Sequence, residues 1–196
     1  MRSATTTTEL IAVPATIIRG GTSKGVFLLE SDLPQDRSLW GPYIMSLFGS
    51  RDPRQIDGLG GAAPTTSKCC IVGPSRQADA DVDYTFAQVG IGEEQVYWDF
   101  NCGNLTPSVG TFAVLTGLVE PQPGVTVVRI YQTNTTARLK VEVPTADDGT
   151  PLVEGGLAIA GVSGTGAPTL TDMAAAVGGS LGRGLLPTGH VAAMLH

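Results

Sequence analysis

The stretch Tyr97–Val119, "YWDFNCGNLTPSVGTFAVLTGLV", decides the fold. Its first residues are strand-like, Asn101-Cys102-Gly103-Asn104 breaks the run, and an apolar segment follows. Thr106, Pro107 and Ser108 supply a helix start. Val109, Phe112, Ala113, Val114, Leu115, Leu118 and Val119 then leave almost no polar face. A helix that is apolar all round belongs in the middle of a domain. Gly110 and Gly117 would let strands approach it closely, at some cost in helix propensity.

Strands surround this segment on both sides. "IAVPATIIRG" (11–20) and "GVFLLES" (25–31) read as two strands joined by the Gly-rich turn "GGTSKG". A helix is predicted next, with Ser31 or Asp32 as its cap, Pro34 near its first turn and Asp36 complementing its dipole. Leu39, Trp40, Tyr43, Ile44 and Leu47 recur at helical spacing up to a stop at Gly49. "DGLGGAAPTTS" is a polar, Gly-rich loop and "KCCIVGPS" a strand. In "DVDYTFAQVGI", Val82, Tyr84 and Phe86 alternate with Asp83, Thr85 and Ala87, which predicts a strand with one solvated face. "QVYWDF" is a further strand, and "TVVRIYQTNTTARLKVEVP" a hairpin with Asn134 in its turn. The Thr-rich residues 1–10 read as a disordered tail. The expected class is α+β, a strongly curved mixed sheet wrapped around one buried helix.

Composition bounds the function. A chain of 196 residues, 42% hydrophobic and 15% charged, can bury a core and fold as a globular domain. The net charge of -6 and the absence of a basic run argue against nucleic acid and acidic membranes as partners. A small anionic substrate stays open, because a few local cations and backbone amides suffice to bind one. Three cysteines, two of them the vicinal Cys69 and Cys70, argue against a disulfide framework. There is no Cys-x-x-Cys, and the two histidines are His190 and His196, so no metal site is expected. No apolar run is long enough to span a bilayer, and the start lacks the apolar core of a signal peptide. The expected compartment is the cytoplasm, with mitochondrial import left open.

Three motifs could carry chemistry. A helix beginning just after Cys102 would aim its free N–H groups and dipole back at the junction. That environment favours a thiolate, and the amides of Gly103, Asn104 and Leu105 would make an anion cradle. Read alone, the junction fits equally well a buried, inert cysteine with Asn104 satisfying the backbone. In "RGGTSKGVF", Arg19 offers a fork for a carboxylate, Gly20 and Gly21 permit close backbone approach, and Thr22 and Ser23 bring hydroxyls. Alone, this stretch is an ordinary hairpin turn with a surface arginine, and it lacks phosphate-loop spacing. In "DGLGGAAPTTSK", Gly60, Gly61 and the hydroxyl run ending at Ser67 could line a pocket, while Lys68 alone is a solvated strand end.

Taken together, the stretches "PATIIRGGTSKGVF", "QIDGLGGA" with "TTSK", "VDYTFAQV", "NCGNL" with its apolar helix, "GVSGTGAP" and "GLLPTG" resemble the PrpF family, whose members share the diaminopimelate epimerase-like fold. The similarity runs from about Val13 to about Gly189. The resemblance implies a cofactor-independent isomerase that moves a proton along an allylic or keto–enol system of an unsaturated tricarboxylic acid. Activities in such a family include 2-methylaconitate isomerase, 4-oxalomesaconate tautomerase, methylitaconate isomerase and aconitate isomerase. It places the catalytic residues on Ser23, Lys68 and Cys102. Lys68 fits the base, with partial burial and Arg19 favouring its neutral form, and Cys102 fits the partner acid/base; which acts first stays open. Ser23 and Arg19 would orient a carboxylate. Gly20, Gly21, Thr22, Gly60, Gly61, Ser67, Gly103 and Asn104 complete the expected substrate-binding set.

Members of the family are two-lobed, with the site in the cleft between lobes. Here residues 11–162 are expected to form the N-terminal lobe, and 163–196 to be a connection into a second lobe that is largely absent. His190 stands where members tend to carry Asn. A homodimer mate or a complementing second lobe would then supply the other wall. Two alternatives remain: a non-catalytic lobe binding a carboxylate or a protein, and an amino-acid epimerase or racemase. The latter would use paired cysteines, one per lobe, whereas Lys68 and Cys102 here share a lobe.

Overall fold

The computed structural model describes residues 12–174. β1 (Thr16–Gly20) and β2 (Ser23–Leu29) form an antiparallel hairpin whose turn is Gly21-Thr22. Gly21 sits at φ +51, in the left-handed region that glycine enters freely. The chain then leaves the sheet for α1 (Trp40–Phe48) and returns as β3 (Lys68–Pro74), parallel to β2. β4 (Val82–Val89) pairs antiparallel with β3, and the short β5 (Val96–Tyr97) pairs with one end of β4. α2 (Thr106–Leu115) follows, then the hairpin of β6 (Gly124–Gln132) and β7 (Ala137–Thr145), with β6 parallel to β4. β8 (Leu157–Ala158) and β9 (Thr165–Gly166) make a separate two-stranded ribbon. β10 (Leu170–Asp172) adds antiparallel to β7, giving the order β1-β2-β3-β4-β6-β7-β10.

The sheet packs α2 on one face and α1 on the other. Around α2 lie Phe27, Cys70, Val72, Tyr84, Phe86, Val128, Ile130, Leu139, Val141 and Val143, with Leu105, Val109, Phe112 and Ala113 from the helix segment. Phe27 and Phe112 meet with ring centroids 5.4 Å apart. Each such fully buried side chain contributes about 1.5–3 kcal/mol relative to exposure. Around α1 lie Val26, Leu28, Cys69, Ile71, Ala87 and Val89, with Trp40, Ile44 and Phe48. The alternation along β3 therefore sends the vicinal cysteines to opposite faces, Cys69 toward α1 and Cys70 toward α2. Both are free thiols.

The buried central helix and the curled mixed sheet are as the sequence predicts, with several local corrections. Gly110 does admit a strand: a Cβ there would stand 2.6 Å from Val141 Cγ1 on β7. Gly117 does not, since it faces open space. It ends α2 instead, at φ +72, with Gly117 N–H donating to Val114 O and Leu118 N–H to Ala113 O, the paired bonds of a left-handed helix stop. The helix before β3 starts later than Ser31 or Asp32 would set it. Leu33 precedes Pro34 and is driven extended, so only short 3₁₀ turns form at Glu30–Asp32 and Arg37–Leu39 before α1. Asp36 caps only the second of these turns, accepting from Ser38 N–H at 2.9 Å, and α1 itself has no side-chain cap. The second face of β4 is not solvated: Ala87 is buried beneath α1, and Asp83 is buried against Ser75, whose hydroxyl donates to it at 2.6 Å, and Arg76. "QVYWDF" yields only the two residues of β5.

The expected tail 1–10, the stretch 175–196, "GLLPTG", His190 and His196 lie outside the described residues. No described helix is long and apolar enough to cross a membrane.

Candidate active site

Because β2 and β3 run parallel, both begin at the same end of the sheet. Ser23 opens β2 and Lys68 opens β3. Ser23 shares its side of the sheet with Gly25 and Phe27, and Lys68 shares its side with Cys70, so both belong to the face that packs α2. Cys102 lies in the same core, four residues before the first residue of α2, and is 8% exposed. Ser23 and Lys68 thus open neighbouring strands at one end, or rim, of the sheet, on the face that packs α2, and Cys102 stands in the approach to that helix.

The hairpin tip is clamped onto the helix start. A Cβ on Gly20 would collide with Asn104 O and lie 2.6 Å from Ser108 Oγ, and one on Gly21 would lie 2.6 Å from Asn104 Oδ1. A Cβ on Gly25 would meet Leu105 Cδ1 at 2.7 Å. Asn104 Nδ2 donates to Thr22 Oγ1 at 3.0 Å and to Ser23 Oγ at 3.4 Å. The glycines of "RGGTSKG" and the amide of "NCGN" therefore belong to a single contact that neither segment could form alone.

The amide cradle at the junction is narrower than predicted. Cys102 O accepts from both Leu105 N–H and Thr106 N–H at 3.1 Å, and from Thr106 Oγ1 at 3.0 Å. The turn before α2 is thereby closed on itself, and the Leu105 amide is not free for an anion. Asn101 Nδ2 braces the same turn through Thr106 Oγ1 at 3.1 Å.

Lys68 Nζ donates to Gln88 Oε1 at 2.7 Å and stands 5.2 Å from the centroid of the Phe86 ring. Arg19 is not among these partners. Its guanidinium donates to Gly21 O at 3.0 Å, and Arg19 faces a cleft of about 430 Å³ with Gly20, Gly21, Gly103 and Asn104. The far wall of that cleft comes from Leu152, Val153 and the β8–β9 ribbon. Ser23, Lys68 and Cys102 do not line it.

The "DGLGGAAPTTS" loop is organised around a residue that sequence reasoning missed. Gln55 is buried at φ +51, and its Oε1 accepts from Ala62 N–H at 2.8 Å and from Ser67 Oγ at 2.6 Å. A side chain on Gly60 would collide with Gln55, and one on Gly61 with Thr66. The two glycines and Ser67 are thus engaged in folding the loop that delivers Lys68 to β3.

Beneath the rim, Cys70 Sγ and Tyr84 OH are 3.6 Å apart and wholly buried. Burial pushes the Cys70 thiol well above its ordinary range, with Cys69 and Cys102 adding to the rise and Tyr84 and Lys68 opposing it. Burial likewise raises the Tyr84 phenol. Cys70 and Tyr84 therefore stay neutral. Among the described residues no cluster of three or more His, Cys, Asp or Glu is placed to hold a metal.

Residues 10–196 match the family model described as PrpF protein. The chain belongs to the PrpF family. This PrpF chain is 47% identical to a 3-methylitaconate isomerase of Eubacterium barkeri over 95% of its own length and 49% of that protein's. It is 44% identical to a 4-oxalomesaconate tautomerase of Pseudomonas putida over 91% of its own length and 49% of that protein's. It is also similar to a crystal structure of a methylitaconate-delta-isomerase, with a TM-score of 0.83, 48% identity, and coverage of 87% of this chain and 75% of that one. The PrpF chain spans about half the length of the curated relatives it matches.

Proposed function

We propose that the chain carries the proton-transfer face of an isomerase for unsaturated tricarboxylic acids of the aconitate, 2-methylaconitate or oxalomesaconate type. What supports this reading is the placement of Ser23 and Lys68 at the parallel starts of β2 and β3, on the sheet face that packs α2, with Cys102 in the approach to that helix. The names of relatives, a 3-methylitaconate isomerase, a 4-oxalomesaconate tautomerase and a 2-methyl-aconitate isomerase, support an unsaturated carboxylic acid as substrate, and the tricarboxylic choice is part of the proposal.

The chemistry follows from the side chains. Once deprotonated, the Lys68 amine takes a proton from the carbon next to the double bond, becoming an ammonium, and the electron pair of that C–H bond spreads into the conjugated carboxylate as a dienolate. Ser23 Oγ and the amides of Gly103 and Asn104, next to Cys102 in the chain, bind and orient a carboxylate. The Cys102 thiol returns a proton at the far carbon of the system, leaving a thiolate, and the double bond shifts. Loss of a proton from Lys68 and uptake of one by Cys102 reset the pair. No bound group is required by this balance. The substrate meets the second wall of its site on a homodimer mate or on a complementing lobe.

Solvent exchange tests the reading. The protein is incubated with cis-aconitate, 2-methylaconitate and oxalomesaconate in D₂O, and proton NMR follows deuterium entering the allylic carbon. The expected result is exchange in at least one acid, reduced at least about 100-fold in Lys68→Ala and in Cys102→Ser. Full exchange in either variant removes that residue from its role. Absence of exchange in all three acids, with racemisation of an amino acid instead, overturns the substrate class.

A further inference from the structure

Gln88 lies in "VDYTFAQV", a stretch that shares in the family resemblance but has no part in the chemistry above. It sits directly across from Lys68 in the β3–β4 register. Its Nε2 donates to Ser67 O at 2.9 Å and to Pro64 O at 3.2 Å, so both amide hydrogens are engaged. A flipped amide would set its oxygen against two carbonyl oxygens, which fixes the orientation. Only Oε1 then faces Lys68, and it accepts from Nζ at 2.7 Å.

We propose that Gln88 is a positioning residue for Lys68, holding its amine with a neutral acceptor that cannot donate. This rests on the reading of Lys68 as the base. An amine that donates one hydrogen to Gln88 Oε1 must keep its lone pair pointing away from Gln88, where it is free to take a proton. A carboxylate at the same place would instead pair with the ammonium and hold the lysine charged. The neutral amide holds the side chain in place with much less of that bias than a carboxylate would bring.

The surroundings fit this role. Cys70 lies two residues along β3 on the same face, Tyr84 is hydrogen-bonded to it, and Cys102 approaches from the start of α2. Phe86 lies under the ammonium, and Phe100 packs against Phe86 at 5.6 Å in the segment that also carries the exposed Asp99. No ion pair among the described residues includes Lys68. Gln88 is the one hydrogen-bond partner that the described residues give Nζ.

The test reads Lys68 directly in the full chain. Trace acetic anhydride labelling across pH, followed by peptide mass spectrometry, gives the pH midpoint at which Lys68 becomes reactive. In Gln88→Glu the midpoint moves up by about one unit or more, because an opposite charge now faces the ammonium. In Gln88→Met it moves down, because the ammonium loses its acceptor while the volume is kept. Near-ultraviolet circular dichroism checks folding; if Gln88→Glu does not fold, Gln88→Met decides alone. A Gln88 engaged only with the Pro64 and Ser67 carbonyls, and not with Lys68, would leave both midpoints in place. Midpoints that stay in place, or that move together, overturn the proposal while leaving Lys68 as base. Full deuterium exchange by Lys68→Ala overturns Lys68 as base while leaving the labelling result to stand for Gln88.

Discussion

Gly20 on β1 lies against Asn104 at the start of α2 with no room between them for a side chain. The hairpin tip and the central helix are therefore fitted backbone to backbone. Gly20→Ala is expected to cost about 1–3 kcal/mol, as overpacking does in a tight contact. Gly41, the second residue of α1, meets nothing within 4 Å of an added Cβ. There Gly41→Ala is expected to stabilise by up to about 1 kcal/mol through helix propensity. Urea unfolding of the two variants checks the contrast, and equal effects of one sign would contradict it.

The three thiols differ in access. Cys69 and Cys70 are wholly buried on opposite faces of β3, and burial raises both thiols above their ordinary range. Cys102 keeps 8% exposure. Iodoacetamide at pH 8 is expected to modify Cys102 at least about tenfold faster than either neighbour, which react only once the protein opens. Mass spectrometry of the labelled peptides measures the order. Prior labelling of Cys70 in the folded protein would contradict this order of access.

Acid should weaken the fold through its arginine–carboxylate pairs. The Arg129 side chain donates to Asp81, and this lowers the Asp81 carboxyl below its ordinary 3.8. A group lowered in the folded state contributes stability that is present above its unfolded value and is lost as pH falls through the folded one. The contribution is therefore complete at pH 6 and eroded below about pH 4. In Asp81→Asn the gap between urea midpoints at pH 6 and pH 3 is expected to shrink. An unchanged gap would assign the acid sensitivity to other carboxylates, such as Glu30, where burial raises the carboxyl but Arg76 and Arg37 bring it down.

Much of this architecture is legible in the sequence because it rests on local pattern. The helix after Cys102 has no polar face, so it could only be central, and the β1–β2 and β6–β7 hairpins carry their own turn residues. What escaped reading depends on neighbours distant in sequence. Asp83 and Ala87 look solvated until Ser75 and Arg76 are seen to cover the first and α1 the second. Asn134 is a turn residue as the sequence predicts; what could not be read is that its side chain pairs with both Phe86 N and Phe86 O, at 2.8 and 2.9 Å, and extends the ladder of β4. Nothing in the local pattern marks Gln55 or Gln88, because their partners, Ala62 and Ser67 for the first and Pro64, Ser67 and Lys68 for the second, come from the loop and strand start that the fold brings over them. Arg19 and Lys68 both look like cations of one pocket, and the hairpin tip puts them on different sides.

The parallel pairing of β2 with β3 has a kinetic consequence. Ser23, Lys68 and Cys102 come from three segments separated by α1, its long loop and the β4 hairpin, so no stretch of chain can assemble the rim by itself. Loop closure must precede every contact among them, which places this face among the slow, non-local steps of folding. Any partly folded form, however rich in hairpins and helix, would be chemically silent.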